Sequence, residues 1–245
     1  MRPEPSGVYR SPVDEERFGI RVARVGWMKQ EILPEAIDFC LQNRISLLIS
    51  KCMASERACF QAMERAGFVM METMLCLEAD LTKPIPADPG GASVRPVRPG
   101  DEPEISRVAA AAFRGYVSHY HADSRLDRSK CDEIYVDWAQ RACQSRGEED
   151  EVLLAESEGS AAGYFICALN TPEEADVAVA AVIPDRRGSG AYASLVVSSM
   201  EWGAAKSAKR ITGLVQVTNI AVQKTPMRLG WFPSYAYHTF HKWFD

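Results

Sequence analysis

The chain has 245 residues, of which 25% are charged and 47% hydrophobic, and a formal net charge of -5. That length suffices for two domains of about 100–150 residues, each with its own core, and the charge balance excludes a global attraction to nucleic acid or an anionic membrane, so any anion site must be local. No apolar run approaches the roughly 20 residues of a membrane span, and the first residues, Met-Arg-Pro-Glu-Pro-Ser-Gly, lack a signal peptide's apolar stretch, which points to a cytoplasmic protein without a membrane span.

Residues 1–16 read as a loose tail. A strand is expected over 18–25, a helix over 35–43, a strand over 45–50, a helix over 55–66 capped by Ser55, and a strand over 69–77. Residues 83–100 hold five prolines and three glycines, a density that neither a helix nor a central strand tolerates. A linker at 83–93 therefore divides a domain at 17–82 from one at 94–245. In the latter, Asp101 with Glu104 three residues on has the pattern of a capping box opening a helix to about Arg114. A second helix over 129–143 carries the apolar stripe Cys131, Ile134, Tyr135, Trp138 and Cys143. Strands at 151–156 and 161–168 flank Glu158-Gly159-Ser160, a hairpin signal. A β-branched strand over 177–183 precedes a helix after Gly190, then come a strand over 211–217, a helix over 220–228 and a last strand over 235–244. This succession predicts an α/β (α+β) fold with a mixed sheet flanked by helices.

Seven cysteines, odd in number and without a C-x-x-C pair, read as buried free thiols. His119, His121, His238 and His241 show no metal-binding spacing, and no metal site is expected.

The stretch from Val182 to Tyr192, Val-Ile-Pro-Asp-Arg-Arg-Gly-Ser-Gly-Ala-Tyr, takes a strand through a glycine-interrupted turn into a helix. Such a turn exposes consecutive N–H groups at a helix N-terminus, where the dipole favours an anion. The same pattern also serves as an ordinary connector. The run from Ala58 to Phe68 echoes the run from Ala221 to Trp231, each a helix ending in glycine and an aromatic residue between two strands. The amino-terminal half has no glycine turn, so on that reading it is a truncated copy without a phosphate site.

Arg187-Gly188-Ser189-Gly190-Ala191-Tyr192 resembles the Gln/Arg-x-x-Gly-x-Gly/Ala signature of the Gcn5-related N-acetyltransferase superfamily, with Tyr192 standing where a small residue is usual. Asn219-Ile220-Ala221 and Leu229-Gly230-Trp231 are similar to that superfamily's second element. The resemblance implies its fold, preceded by a truncated half-domain, and acetyl-CoA or another acyl-CoA held by Arg187, Gly188, Ser189, Gly190, Ala191, Tyr192 and Asn219. It also implies that the preceding strand splays from its neighbour, with a bulge near Ala181 or Val182 offering an N–H to the developing oxyanion. Tyr120-His121-Ala122-Asp123-Ser124-Arg125-Leu126 and the tail Tyr237-His238-Thr239-Phe240-His241-Lys242-Trp243 resemble the dTDP-fucosamine N-acetyltransferase group. That likeness implies a nucleotide-linked amino sugar as small-molecule substrate, bound by Tyr120, His121 and Asp123.

The reaction so implied is attack of an amine on a thioester. An amine with an α-amino-like pKa of about 7.7–8.0 is partly neutral near pH 7, so positioning outweighs base strength. Asp176 and His121 are candidates to move the amine's proton. For Asp176 the alternative is a solvated strand-end carboxylate, and for His121 a structural histidine. The group's general-acid tyrosine falls at Pro226 here. Tyr235, Tyr237 and His241 share one face of the last strand, and Tyr237 is the candidate replacement, the alternative being a core or interface aromatic. An exposed edge on that strand would allow a homodimer. An acyltransferase for another small amine or a peptide N-terminus, and a non-catalytic acyl-CoA-binding module, stay open beside the amino-sugar reading.

Overall fold

A computed structural model describes residues 7–144, 147 and 149–244. The chain divides into two compact units that are discontinuous in sequence. Among the described residues, the first contains 7–75, Val117–Cys131 and 235–244; the second contains Cys76–Tyr116 and the described part of Asp132–Ser234. The expected division at 83–93 differs from this grouping because 117–131 and the last strand join the first unit.

In the first unit, β1 (Val8–Arg10), α1 (Pro12–Phe18), β2 (Val22–Val25), α2 (Leu33–Gln42), β3 (Leu47–Met53) and α3 (Arg57–Arg65) follow in order. They are joined by β4 (Val69–Asp80), α5 (His119–Ala122) and β10 (Phe232–Trp243), of which β4 and β10 begin or end in the second unit. The strand order is β1-β2-β3-β10-β4, with β2 parallel to β3 and β10 antiparallel to it. Within the expected tail, residues 1–6 lie outside the described residues, whereas 8–10 and 12–16 are strand and helix. Pro12 sits in the first turn of α1, where its missing N–H costs nothing, and Gly19 at φ 69° ends the helix. The strand expected over 18–25 is therefore only β2. Glu56, not Ser55, holds the N-cap position of α3, and no side chain caps it. The core of this unit includes Leu48, Cys52, Cys59, Met63 and Phe240.

In the second unit, β5 (Ser93–Pro96), α4 (Glu102–Ala112), α6 (Arg128–Gln144, beginning in the first unit), β6 (Asp150–Ser157), β7 (Ser160–Thr171) and β8 (Glu174–Val182) are followed by α7 (Ala191–Ala205), β9 (Arg210–Gln216) and α8 (Ile220–Arg228). The strand order is β4-β9-β8-β7-β6-β5; β5 to β8 pair antiparallel and β8 runs parallel to β9. Glu158 at φ 52° and Gly159 at φ 75° make the two-residue hairpin turn anticipated between β6 and β7. Asp101 occupies the N-cap of α4 but forms no capping box. Its carboxylate accepts from Arg95 at 2.7 and 3.1 Å and from the Arg98 N–H at 2.7 Å. Ile105, Val108, Tyr164, Val179 and Ala181 belong to the core of this unit.

Both units contain a mixed sheet with helices, as the sequence predicts. The echo is also present in the fold: α3 passes through Gly67 at φ 81° into β4, and α8 through Gly230 at φ 89° into β10. All seven cysteines are buried and unbridged.

Candidate functional site

The strand β8 leaves the sheet through Ile183 and a single 3-10 turn, Pro184–Arg186, before α7 begins. Gly188 at φ 84° and Gly190 at φ 95° set the loop's backbone, and Gly190 is the N-cap of α7. The first helical bond of α7 is Ser194 N–H to Gly190 C=O, 3.0 Å. Upstream of it, the N–H groups of Gly188, Gly190, Tyr192 and Ala193 make no hydrogen bond among the described residues, and that of Ala191 only reaches Ser189 Oγ at 3.4 Å. Gly188 and Ser189 are exposed. A 15-residue helix thus presents unpaired donors and the positive end of its dipole to solvent, and the donor set fits a phosphate or pyrophosphate.

The two arginines behave differently. Arg186 is paired with Glu158 at 2.6 Å, whereas Arg187 is exposed and donates to the Ala112 carbonyl at 3.2 Å. The departure at Tyr192 is accommodated because its ring turns onto the sheet, edge-on to Phe165 with centroids 5.5 Å apart. Burial pushes the Tyr192 hydroxyl's pKa up, so it stays neutral.

Beside the loop, β8 and β9 pair only where residues 174–177 face 210–213. Residues 178–182 of β8 run on past the last paired residue, which is the splay expected from the resemblance. The bulge, however, is at Ala178, since Val177 pairs with Cys167 and Val179 with Ile166. Ile183 N–H donates to Ala162 C=O at 2.9 Å, so the antiparallel alternation turns Ala181 toward β7 and leaves Ala180 and Val182 turned toward the open edge. Of the two residues predicted to offer an N–H there, Val182 is the one so oriented. Asp176 lies two residues before the bulge. It is 6% exposed and accepts from Thr212 Oγ1 at 3.0 Å, which sets aside the solvated strand-end alternative.

Asn219 caps α8, its Oδ1 accepting from Val222 N–H at 3.3 Å. Pro226 is buried inside α8, and its carbonyl accepts from Trp231 N–H at 3.0 Å. The position at which the resemblance places a general-acid tyrosine thus holds a side chain that cannot donate a proton.

The remaining predicted site residues, Tyr120, His121, Asp123 and Tyr237, are in the first unit, and two of them, Tyr120 and Asp123, belong to buried hydrogen-bond networks. Asp123 Oδ2 accepts from His241 Nδ1 at 2.7 Å and from Trp243 Nε1 at 2.9 Å, and Oδ1 accepts from Arg125 N–H at 3.0 Å. His241, fully buried, meets His119 Nδ1 through its Nε2 at 2.9 Å. Because Asp123 is an acceptor, the hydrogen-bond network assigns N–H to Nδ1 of His241 and in turn to Nδ1 of His119. Tyr120 donates to Asp14 at 2.8 Å and accepts from Arg24, which itself pairs with Asp14 at 2.6 Å. Burial opposes the charge on Asp14 and Asp123, yet Arg24 for the former and His241 for the latter hold both below the usual carboxylate range. His121 Nδ1 accepts from the N–H of Ser118 at 3.2 Å, with the Ser118 hydroxyl 2.9 Å away, the arrangement of a turn-stabilising histidine. Tyr237 is buried against Trp27, centroids 5.2 Å apart, with the Lys51 ammonium 5.7 Å from its ring centroid. Period-two alternation on the last strand already placed His241 beside Tyr237. His119 was missed as a partner because 122 residues separate it from His241.

The sequence matches no protein-family model and no curated protein. Solved structures do match. A GCN5-related N-acetyltransferase from Sphaerobacter thermophilus is similar at 16% identity and a TM-score of 0.64, over 96% of this chain and 76% of that one. A GCN5-related N-acetyltransferase from Kribbella flavida is similar at 12% identity and a TM-score of 0.65, over 99% and 89%. A tandem GNAT protein from the clavulanic acid biosynthesis pathway is similar at 14% identity and a TM-score of 0.60, over 91% and 75%. With the glycine loop opening α7 and the parting of β8 from β9, these likenesses show that the chain has the fold of the Gcn5-related N-acetyltransferases.

Proposed function

We propose that the protein is an acyl-CoA-dependent N-acyltransferase. The observation that carries this reading is the loop 187–193, whose four unpaired N–H groups stand at the N-terminus of α7 next to the open edge of β8. The N–H groups of Gly188, Gly190, Tyr192 and Ala193 would hold the pyrophosphate. Each charge-assisted hydrogen bond contributes about 1.5–3 kcal/mol. Ala180 and Val182 would take the amide-bearing arm along the open edge in the manner of an added strand. When bound, the acyl-CoA supplies an activated acyl group, which the protein contributes to by orientation and by excluding water. Asp176, two residues from the bulge, is the candidate acceptor for the amine's proton.

The finer reading is a nucleotide-linked amino sugar, such as a dTDP-4-amino-4,6-dideoxyhexose, as acyl acceptor. It is supported by the sequence likeness of 120–126 and 237–243 alone. Pro226 favours a second reading, a module that binds acyl-CoA without turnover.

The test has two stages. Calorimetry should show acetyl-CoA binding that Gly190→Ala weakens at least about tenfold, or 1.4 kcal/mol, because a Cβ there strikes the Gly90 carbonyl. CoA release with dTDP-amino sugars, polyamines and peptide N-termini then separates the acceptors. Absence of acetyl-CoA binding would sink the whole reading, whereas binding without turnover would favour the module.

A further inference from the structure

The linker between β4 and β5 is the chain's other glycine-rich stretch, and it meets the loop. Leu81 Cδ1 lies 2.9 Å from where a Cβ on Gly203 of α7 would stand. Further along, Ser194 Oγ of α7 donates to Asp88 Oδ1 at 2.8 Å, and Gly90 and Gly91 abut Ser189 and Gly190. Residues 81–91 thus run along α7 from its last turn to its first. Ser194 is fully buried, and Asp88 Oδ1 also accepts the Gly90 N–H at 2.9 Å, closing an Asx turn. At the far end, backbone meets backbone. A Cβ on Gly91 would stand 2.5 Å from the Ser189 carbonyl oxygen and 2.6 Å from Gly190 Cα, and one on Gly190 would strike the Gly90 carbonyl.

We propose that segment 88–91 is a positioning element of the phosphate-binding loop, holding residues 188–190 in their anion-binding conformation before the ligand arrives. The proposal rests on reading the loop as the acyl-CoA site. A loop with two glycines has backbone freedom that anion binding would otherwise have to remove. Fixing it beforehand against a facing pair of glycines lowers that cost and tightens binding. The Asp88–Ser194 hydrogen bond is the anchor, and Gly91 is the contact.

Gly91→Ala tests the contact, and Gly100→Ala is its control, because Gly100 has φ 99° with nothing within 4 Å of an added Cβ. Two quantities are read: amide hydrogen exchange, without ligand, of Arg187, Ser189 and Ser194, whose N–H groups are bonded within the loop and the first turn of α7, and the Kd for CoA. Gly91→Ala is expected to speed exchange and to raise Kd by about tenfold each. The KM for acetyl-CoA should rise with it while kcat holds, and Gly100→Ala should move neither quantity. Ser194→Ala removes the anchor without adding an atom and should shift both quantities in the same direction, which decides the matter if Gly91→Ala does not fold. Unchanged exchange and unchanged CoA binding in folded variants would overturn the proposal. A wild-type protein that does not bind CoA would overturn the acyl-CoA reading instead, with the exchange measurement still deciding whether the segment holds the loop.

Discussion

Replacing Asp123 with alanine should be among the most damaging single changes in the first unit. The substitution strands the Nδ1–H of His241, a fully buried ring, together with the Trp243 indole N–H and the Arg125 N–H. Each buried donor left without a partner costs about 1–3 kcal/mol, and His241 and Trp243 each lose one. The expected loss is therefore about 2–6 kcal/mol, or on the order of 10 °C in melting temperature for a chain of this size. Asp123→Asn should be milder, about 1–2 kcal/mol, since an amide oxygen in the place of Oδ2 still accepts from both His241 and Trp243. Urea unfolding followed by far-UV circular dichroism and tryptophan fluorescence measures both variants. An alanine variant within 1 kcal/mol of wild type, or an asparagine variant as damaged as alanine, would refute the role assigned to this carboxylate.

Stability should fall as pH drops from 7 to 5. His119, His238 and His241 are each held below the ordinary imidazole range, burial being the largest cause in every case. A lowered folded-state pKa contributes stability above the unfolded value near 6.5, which is lost as pH falls below it toward the folded-state pKa; a flat urea midpoint across that range would contradict this. Asp101 is held at about 2, chiefly by the Arg95 hydrogen bonds. Its contribution should persist above about pH 4 and vanish toward pH 2, and Arg95→Ala should remove that acid transition. Glu158→Gln frees Arg186 and should tighten CoA binding by up to about fivefold at low salt, the scale of one exposed ion pair; weaker binding in titration calorimetry would count against an arginine near the phosphates. Asn219→Ala loses the α8 cap and should cost about 1 kcal/mol in urea unfolding.

The local chemistry of this chain is legible in its sequence. Glycines between a β-branched run and a helical run, as at Gly188 and Gly190, mark the loop that opens α7, and the proline density agrees with the lack of helix and strand at 83–92. The hairpin at Glu158-Gly159 follows from residue types two apart, and alternation along the last strand puts Tyr237 and His241 on one face. The likeness of 187–192 to a cofactor loop needs only six consecutive residues. Helix α1 was missed because Pro12, Asp14 and Phe18 form no long apolar stripe, and its buried Asp14 is stable only beside Arg24 and Tyr120.

Other features depend on residues far apart in the chain. Asp123 and Tyr120 read from sequence as substrate contacts in a loop, but the fold directs their polar atoms to His241, Trp243 and Asp14. Asp101 had the spacing of a capping residue, and Arg95 took its carboxylate instead. The sequence by itself determined most of the elements, though not β1, α1, β5 or α5, together with the glycine loop and the linker, because backbone conformational limits act within a few residues. Only the tertiary structure decided that β8 parts from β9 after Val177, that the donors of 188–193 remain unpaired, and that Gly91 rests on Gly190. Those facts depend on strand register and on backbone approach across about a hundred residues, and no local propensity encodes either.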